Sequence, residues 1–109
     1  MNTEYRIVFD QDALFDLNNL RTYDRRAIVD GIEKLLSEAP TRVSKTRIKR
    51  LRGYESPQYR LRVSQFRVLY DVIGAEVLVL RVLLKSEVAD YLLEMGREIK
   101  DGDSGTTGS

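Results

Sequence analysis

The residues best placed for chemistry are Arg60, Arg62 and Arg67. Arg60 and Arg62 alternate with Tyr59, Leu61 and Val63, the pattern of a strand with one apolar and one basic face. That alternation sets the two guanidiniums about 7 Å apart on the outer face. Ser64-Gln65 can form a tight turn, and Phe66, Val68, Tyr70 and Val72 then alternate again, so a hairpin brings Arg67 to the same face. Three planar forks of donors on a rigid sheet form a site for phosphate. Charge stabilisation of this kind works when the donors need not reorganise. The competing reading is a solvated strand face that serves solubility. Against it, like charges facing one another across a hairpin cost stability, and only Glu55 relieves the run.

The wider charge pattern supports a local site. Residues 42–67 carry 9 Lys or Arg against 1 Asp or Glu, whereas 1–41 carry 5 against 8 and 68–109 carry 4 against 8. A net charge of +1 therefore conceals a patch that a polyanion would meet. Arg47, Lys49, Arg50 and Arg52 read as phosphate-steering charges, which give affinity without sequence choice. They serve equally as charges that blunt an edge strand against aggregation. Tyr54, in a loop, is a candidate to stack on a base, while Tyr59 and Tyr70 fall on inward registers and read as core. Lys85, at the junction of the last strand and helix, can reach the sheet face.

The chain has no Cys and no His. Disulfides, thiolate metal sites, Ser-His-Asp and Cys-His catalysis are excluded, and no zinc motif can be written. No metal and no cofactor is expected, and any chemistry falls to Arg, Lys, Tyr or carboxylates. No apolar run is long enough to span a membrane, and the first residues lack the pattern of a signal peptide, so the cytoplasm is the expected compartment.

The elements that must position these residues follow from periodicity. Tyr5, Ile7 and Phe9 predict a first strand. Asp10 or Asp12 then caps a helix carrying Ala13, Leu14, Leu17 and Leu20, and Tyr23-Asp24 reads as a staple residue and cap for a second helix with Ile28, Ile32, Leu35 and Leu36. Pro40 stops it. Ile48 and Leu51 are inward anchors of the basic segment. Val77 to Leu84 is almost wholly apolar, with Arg81 its only charge, and predicts a central strand covered on both faces. Ser86 caps a last helix with Val88, Leu92, Met95 and Ile99 as its stripe. The expected class is α+β: an N-terminal strand, a helical hairpin, a twisted antiparallel sheet of about four strands and a C-terminal helix. One domain is expected over 1–100, with 101–109 a disordered polar tail.

The run RIKRLRG (47–53), PQYRLRV (57–63) and FRVLYDVI (66–73), with an apolar strand ending at Lys85-Ser86-Glu87, resembles the RelE/ParE superfamily of type II toxin–antitoxin toxins. The resemblance covers about residues 3–95. It implies a metal-independent, ribosome-dependent endoribonuclease acting on mRNA, and a cognate antitoxin as partner. It also implies that Arg60, Arg62 and Arg67, with Lys85, orient the scissile phosphate and stabilise the charge developed as a 2′-hydroxyl attacks. The sequence departs from the RelE-like ribonucleases after the last strand. They usually carry Gly-(His/Lys)-Arg and a following Tyr, where this chain has Leu83-Leu84-Lys85 and Ala89. Tyr91 stands two positions on, about 200° around a helix. Members lacking those residues, like ParE, inhibit DNA gyrase, which is the alternative implied.

Overall fold

The computed structural model describes residues 4–107, with side chains described through Gly96. In chain order the elements are β1 (Arg6–Phe9), α1 (Gln11–Asn18), α2 (Thr22–Gly31) ending in a π-helical turn over Ile32–Leu36, β2 (Ile48–Arg50), β3 (Tyr59–Val63), β4 (Phe66–Ile73), β5 (Glu76–Leu84) and α3 (Lys85–Thr107). The class is α+β, as the patterns indicate. The sheet has five strands rather than about four, in the order β1-β5-β4-β3-β2, and it is mixed. β1 joins it parallel to β5 at one edge, while every other pairing is antiparallel. A parallel neighbour needs a long crossover, and the helical hairpin between β1 and β2 carries the chain over the sheet. β5 is interior, as its apolar run requires, but the middle strand is β4.

Alternation divides the sheet into two faces. Tyr59, Leu61 and Val63 pair with Tyr70, Val68 and Phe66, and these point toward the hairpin. Ala13 and Leu17 of α1, Ile28 of α2, and Ile32 and Leu36 of the π-helical turn complete a buried cluster with Val68, Tyr70, Val77 and Val79. Burying each large side chain contributes about 1.5–3 kcal/mol. The Tyr70 hydroxyl, wholly buried, donates to the Pro40 carbonyl at 2.6 Å, so the chain leaving the hairpin is tied to the middle strand. Leu14 belongs to the expected apolar face of α1 but is 45% exposed.

The helix ends differ in part from expectation. Asp10 caps α1, its carboxylate accepting from the Asp12 N–H at 3.1 Å. α2 starts at Thr22, with Arg21 in the cap position and no side-chain cap bond, so the staple and cap at Tyr23-Asp24 do not form. α3 begins at Lys85, one residue before the expected Ser86 cap. There a Glu87 carboxylate oxygen reaches back to accept the Leu84 N–H at 2.8 Å. α3 continues as helix to Thr107, into the segment that composition assigns to a disordered tail. A helix already nucleated gains one bond for each added residue. Gly108, Ser109 and the side chain of Ile99 lie outside the described residues. No described helix is long and apolar enough to cross a membrane.

Candidate nucleic-acid interface

The second face of the sheet carries the charged residues. Because Leu61 and Val63 are buried, Arg60 and Arg62 must face away from the hairpin. The register then sets Lys49 of β2 directly opposite Arg60, and Arg62 directly opposite Arg67 of β4. Two cation–cation pairs thus lie side by side across three strands. Directly opposed residues have Cβ atoms about 5 Å apart, and like charges there repel. Burial, then the charge of Arg62, lowers the Arg60 pKa from its ordinary value. Burial, then Arg60 and Arg62, lowers that of Arg67. Arginine still stays protonated under physiological conditions, so the repulsion persists as a standing cost. Among the described residues, none of these four cations forms an ion pair with a carboxylate.

The three arginines are therefore neighbours, but they do not all stand on an open surface. Arg67 is only 7% exposed. Its Nη1 donates to the Ser64 carbonyl at 3.1 Å and to its neighbour Phe66's carbonyl at 2.9 Å. Alternation gives the face of a residue, not its depth, and Arg67 lies between Arg62 and Leu83 near the start of α3. Those two bonds hold the guanidinium against the turn. Its Nε and Nη2 make no hydrogen bond among the described residues, where no side-chain nitrogen is both buried and unpartnered. That edge therefore reaches the surface. Arg62 is exposed and Arg60 half-buried.

The other expected site residues divide. Lys85 is exposed, and its backbone N–H donates to the Gln65 carbonyl at 2.8 Å, which sets it at the rim beside the β3–β4 turn. Arg47 lies at the sheet edge, its Nε donating to the Arg62 carbonyl at 3.0 Å. Arg52 is exposed in the turn after β2. Tyr54 is half-buried, with its ring 3.5 Å from the place where a Cβ on Gly96 of α3 would sit. Arg50 is on the opposite face. It pairs with Tyr59, its guanidinium is 5.0 Å from that ring centroid, and its Nη1 donates to the Gln58 carbonyl at 2.9 Å. Tyr59 in turn stacks on Tyr70 at 5.5 Å and 16°. Arg50 thus caps a buried aromatic column and does not share the cationic face.

Two arrangements escaped the sequence reading. Asp16 of α1 accepts from Arg81 Nε at 2.7 Å and Nη2 at 3.1 Å, and from the Val82 backbone N–H at 2.9 Å. Arg81 also lies 5.3 Å from the Tyr91 ring centroid of α3. The signal was Arg81 itself, the single charge in an apolar strand. Asp71, buried on β4, accepts from the Ser56 hydroxyl at 2.5 Å and the Gln58 N–H at 2.7 Å, and so pins the loop before β3. α3 packs on β4 and β5 over this half of the face. The part over β2, β3 and the start of β4 carries the cations.

Chemically, the cationic half can grip a phosphodiester and stabilise negative charge growing on it. Its other cations are lysines, Lys49 on the face and Lys85 at the rim, each a hydrogen-bond donor. No group of three or more His, Cys, Asp or Glu side chains suited to a metal ion occurs among the described residues.

Comparison with known proteins follows the same outline. Residues 7–89 match the family described as the ParE toxin of the type II toxin–antitoxin system parDE. Toxin RelE3 of Methanocaldococcus jannaschii is 28% identical over 86 residues, covering 79% of this chain and 97% of that protein. The RelBE2 toxin–antitoxin complex of Mycobacterium tuberculosis contains a chain 29% identical with a TM-score of 0.65, the match covering 74% of this chain and 98% of that one. In the RelB–RelE antitoxin–toxin complex of Methanococcus jannaschii the figures are 27%, 0.61, 77% and 96%.

Proposed function

Since the chain belongs to the ParE-toxin family of type II toxin–antitoxin systems, we propose that its cationic sheet face binds mRNA on the ribosome and cuts it, and that a cognate antitoxin silences it. The observation that carries this reading is the pair of opposed cations, Lys49–Arg60 and Arg62–Arg67, without a carboxylate partner among the described residues. A fold tolerates such repulsion most readily where an anion relieves it.

In the proposed reaction the 2′-oxygen of the RNA bonds to phosphorus as the bond from phosphorus to the 5′-oxygen breaks. The products are a 2′,3′-cyclic phosphate and a 5′-hydroxyl. Arg60, Arg62 and the surface edge of Arg67 hold the non-bridging oxygens, and their charge is worth most as the phosphorus gains its fifth oxygen. Arginine is not the base here, and the 2′-hydroxyl loses its proton to a solvent water as its oxygen bonds to phosphorus. The Lys85 ammonium is the candidate to give the leaving oxygen its proton. Antitoxin association is supported by the relatives solved as RelB–RelE and RelBE2 complexes.

The second reading is inhibition of DNA gyrase without cleavage. The ParE description of the matching family favours it, as does the scarcity of proton-accepting side chains on the cationic face. Expression of the wild type and of Arg62→Gln without antitoxin separates the two. RNA cleavage predicts growth arrest with new transcript 5′ ends that disappear in Arg62→Gln. Arrest with intact transcripts and disturbed plasmid supercoiling establishes the gyrase reading instead.

A further inference from the structure

β3 has an edge that no strand covers. β2 pairs only with Tyr59 to Leu61, which leaves Arg62 and Val63 without a strand neighbour on that side. Arg47 closes the gap. Its carbonyl accepts the Arg62 N–H at 2.8 Å, and its side-chain Nε donates to the Arg62 carbonyl at 3.0 Å. This two-point clamp fixes the guanidinium of an exposed arginine, and its two Nη groups make no hydrogen bond among the described residues. Between Arg47 and Arg62 lies an open pocket of about 230 Å3, lined by Thr46, Arg47, Arg62 and Ser64. All four side chains are hydrogen-bond donors and two are permanent cations. The space is several times the roughly 30 Å3 share of one water molecule.

Ser64 adds a separate observation. It is the first central residue of the two-residue β3–β4 turn, and its φ is +56° while Gln65 stays negative. Turns with positive φ at that position ordinarily take glycine. A serine is held there in a conformation that side chains disfavour, and its hydroxyl forms no hydrogen bond among the described residues. Strain at a residue whose hydroxyl gains no internal bond points to function. The Ser64 carbonyl also accepts from Arg67, so the turn joins this pocket to the arginine cradle.

We propose that Thr46, Arg47, Arg62 and Ser64 form a second anion subsite, which takes a phosphate of the RNA next to the one held by Arg60, Arg62 and Arg67. It rests on the RNA reading above for the source of that phosphate. Arg62 is shared, so occupying both subsites fixes the strand's direction across the sheet edge.

The test uses the full chain and two probes, inorganic phosphate and a short single-stranded RNA. By NMR, phosphate shifts the Arg47 Nε–H and the Ser64 amide. Removing one phosphate contact lowers the salt slope of RNA affinity by about one, so Arg47→Gln weakens RNA binding by about tenfold at low salt with that reduced slope. Ser64→Gly relaxes the turn and raises the melting temperature, so its effect on binding cannot come from unfolding. It weakens RNA binding by about threefold or more through the lost hydroxyl. Unchanged slope in Arg47→Gln, or Ser64→Gly binding RNA as tightly as the wild type, overturns the subsite even if the wild type binds RNA. If phosphate shifts both resonances but RNA does not bind, the anion subsite stands and RNA as its source falls. If neither probe moves them, the subsite is wrong.

Discussion

Arg81 and Arg62 lie on one sheet, with β4 between their strands, and live in opposite circumstances. Arg81 is held by Asp16 through two hydrogen bonds and faces the Tyr91 ring. Its pKa is raised, chiefly by the bond to Asp16. Arg62 has Arg67 directly across from it and Arg60 beside it on its own strand, and both neighbours are pushed below their ordinary value by burial and by positive charge. A partnered arginine joins α1, β5 and α3 and serves the fold. An arginine held among others of its kind works against the fold, and its value must come from something the isolated chain lacks.

This contrast can be broken at either end. The largest effect is expected in Arg62→Gln, where loss of one charge-stabilising donor should cut the cleavage rate by about 100- to 1,000-fold, read from single-turnover assays on ribosomes. Arg81→Gln should leave the chemical step near wild type in the same assay. Next comes Asp16→Ala. It strands a half-buried guanidinium and the Val82 N–H together, so urea unfolding should show a loss of about 2–3 kcal/mol.

Tyr70→Phe is expected to cost about 1–2 kcal/mol at neutral pH, because the Pro40 carbonyl loses its partner. It also alters the response to alkali. Burial, then the neighbouring Tyr59, raises the Tyr70 pKa. The unfolded chain therefore releases this proton near pH 10, while the folded chain keeps it. The contribution is complete below about pH 10 and is lost above it, at up to about 1.4 kcal/mol per pH unit. In Tyr70→Phe that one-proton part of the slope should vanish. The smallest effect is on stability in Arg62→Gln, which should unfold within about 0.5 kcal/mol of the wild type or slightly later, since repulsion is relieved. A clear loss of stability there would mean that Arg62 serves the fold as Arg81 does.

Much of the cationic face was legible because a strand's period of two is unforgiving. Tyr59, Leu61 and Val63 fix the face of Arg60 and Arg62, and the two-residue turn fixes Arg67 opposite. Arg50 was legible too, since it lies two residues from the buried Ile48 and so shares the inner face, but its charge suggested the other side. Depth was not legible. Arg67 is buried with its guanidinium folded back on the Ser64 and Phe66 carbonyls, an arrangement that alternation alone does not record. The Asp16–Arg81 pair joins residues 65 apart in sequence, and no local pattern links them. β1 shows its strand character, but its place beside β5 follows only from how the helical hairpin crosses the sheet.

The most direct measurement is an NMR titration of the full chain with a short single-stranded RNA, observed at the arginine Nε–H groups. Arg60, Arg62 and Arg67 should shift together while Arg81, already paired with Asp16, stays in place. If those three stay fixed, or if Arg81 moves with them, the unpaired cations do not form an RNA phosphate site.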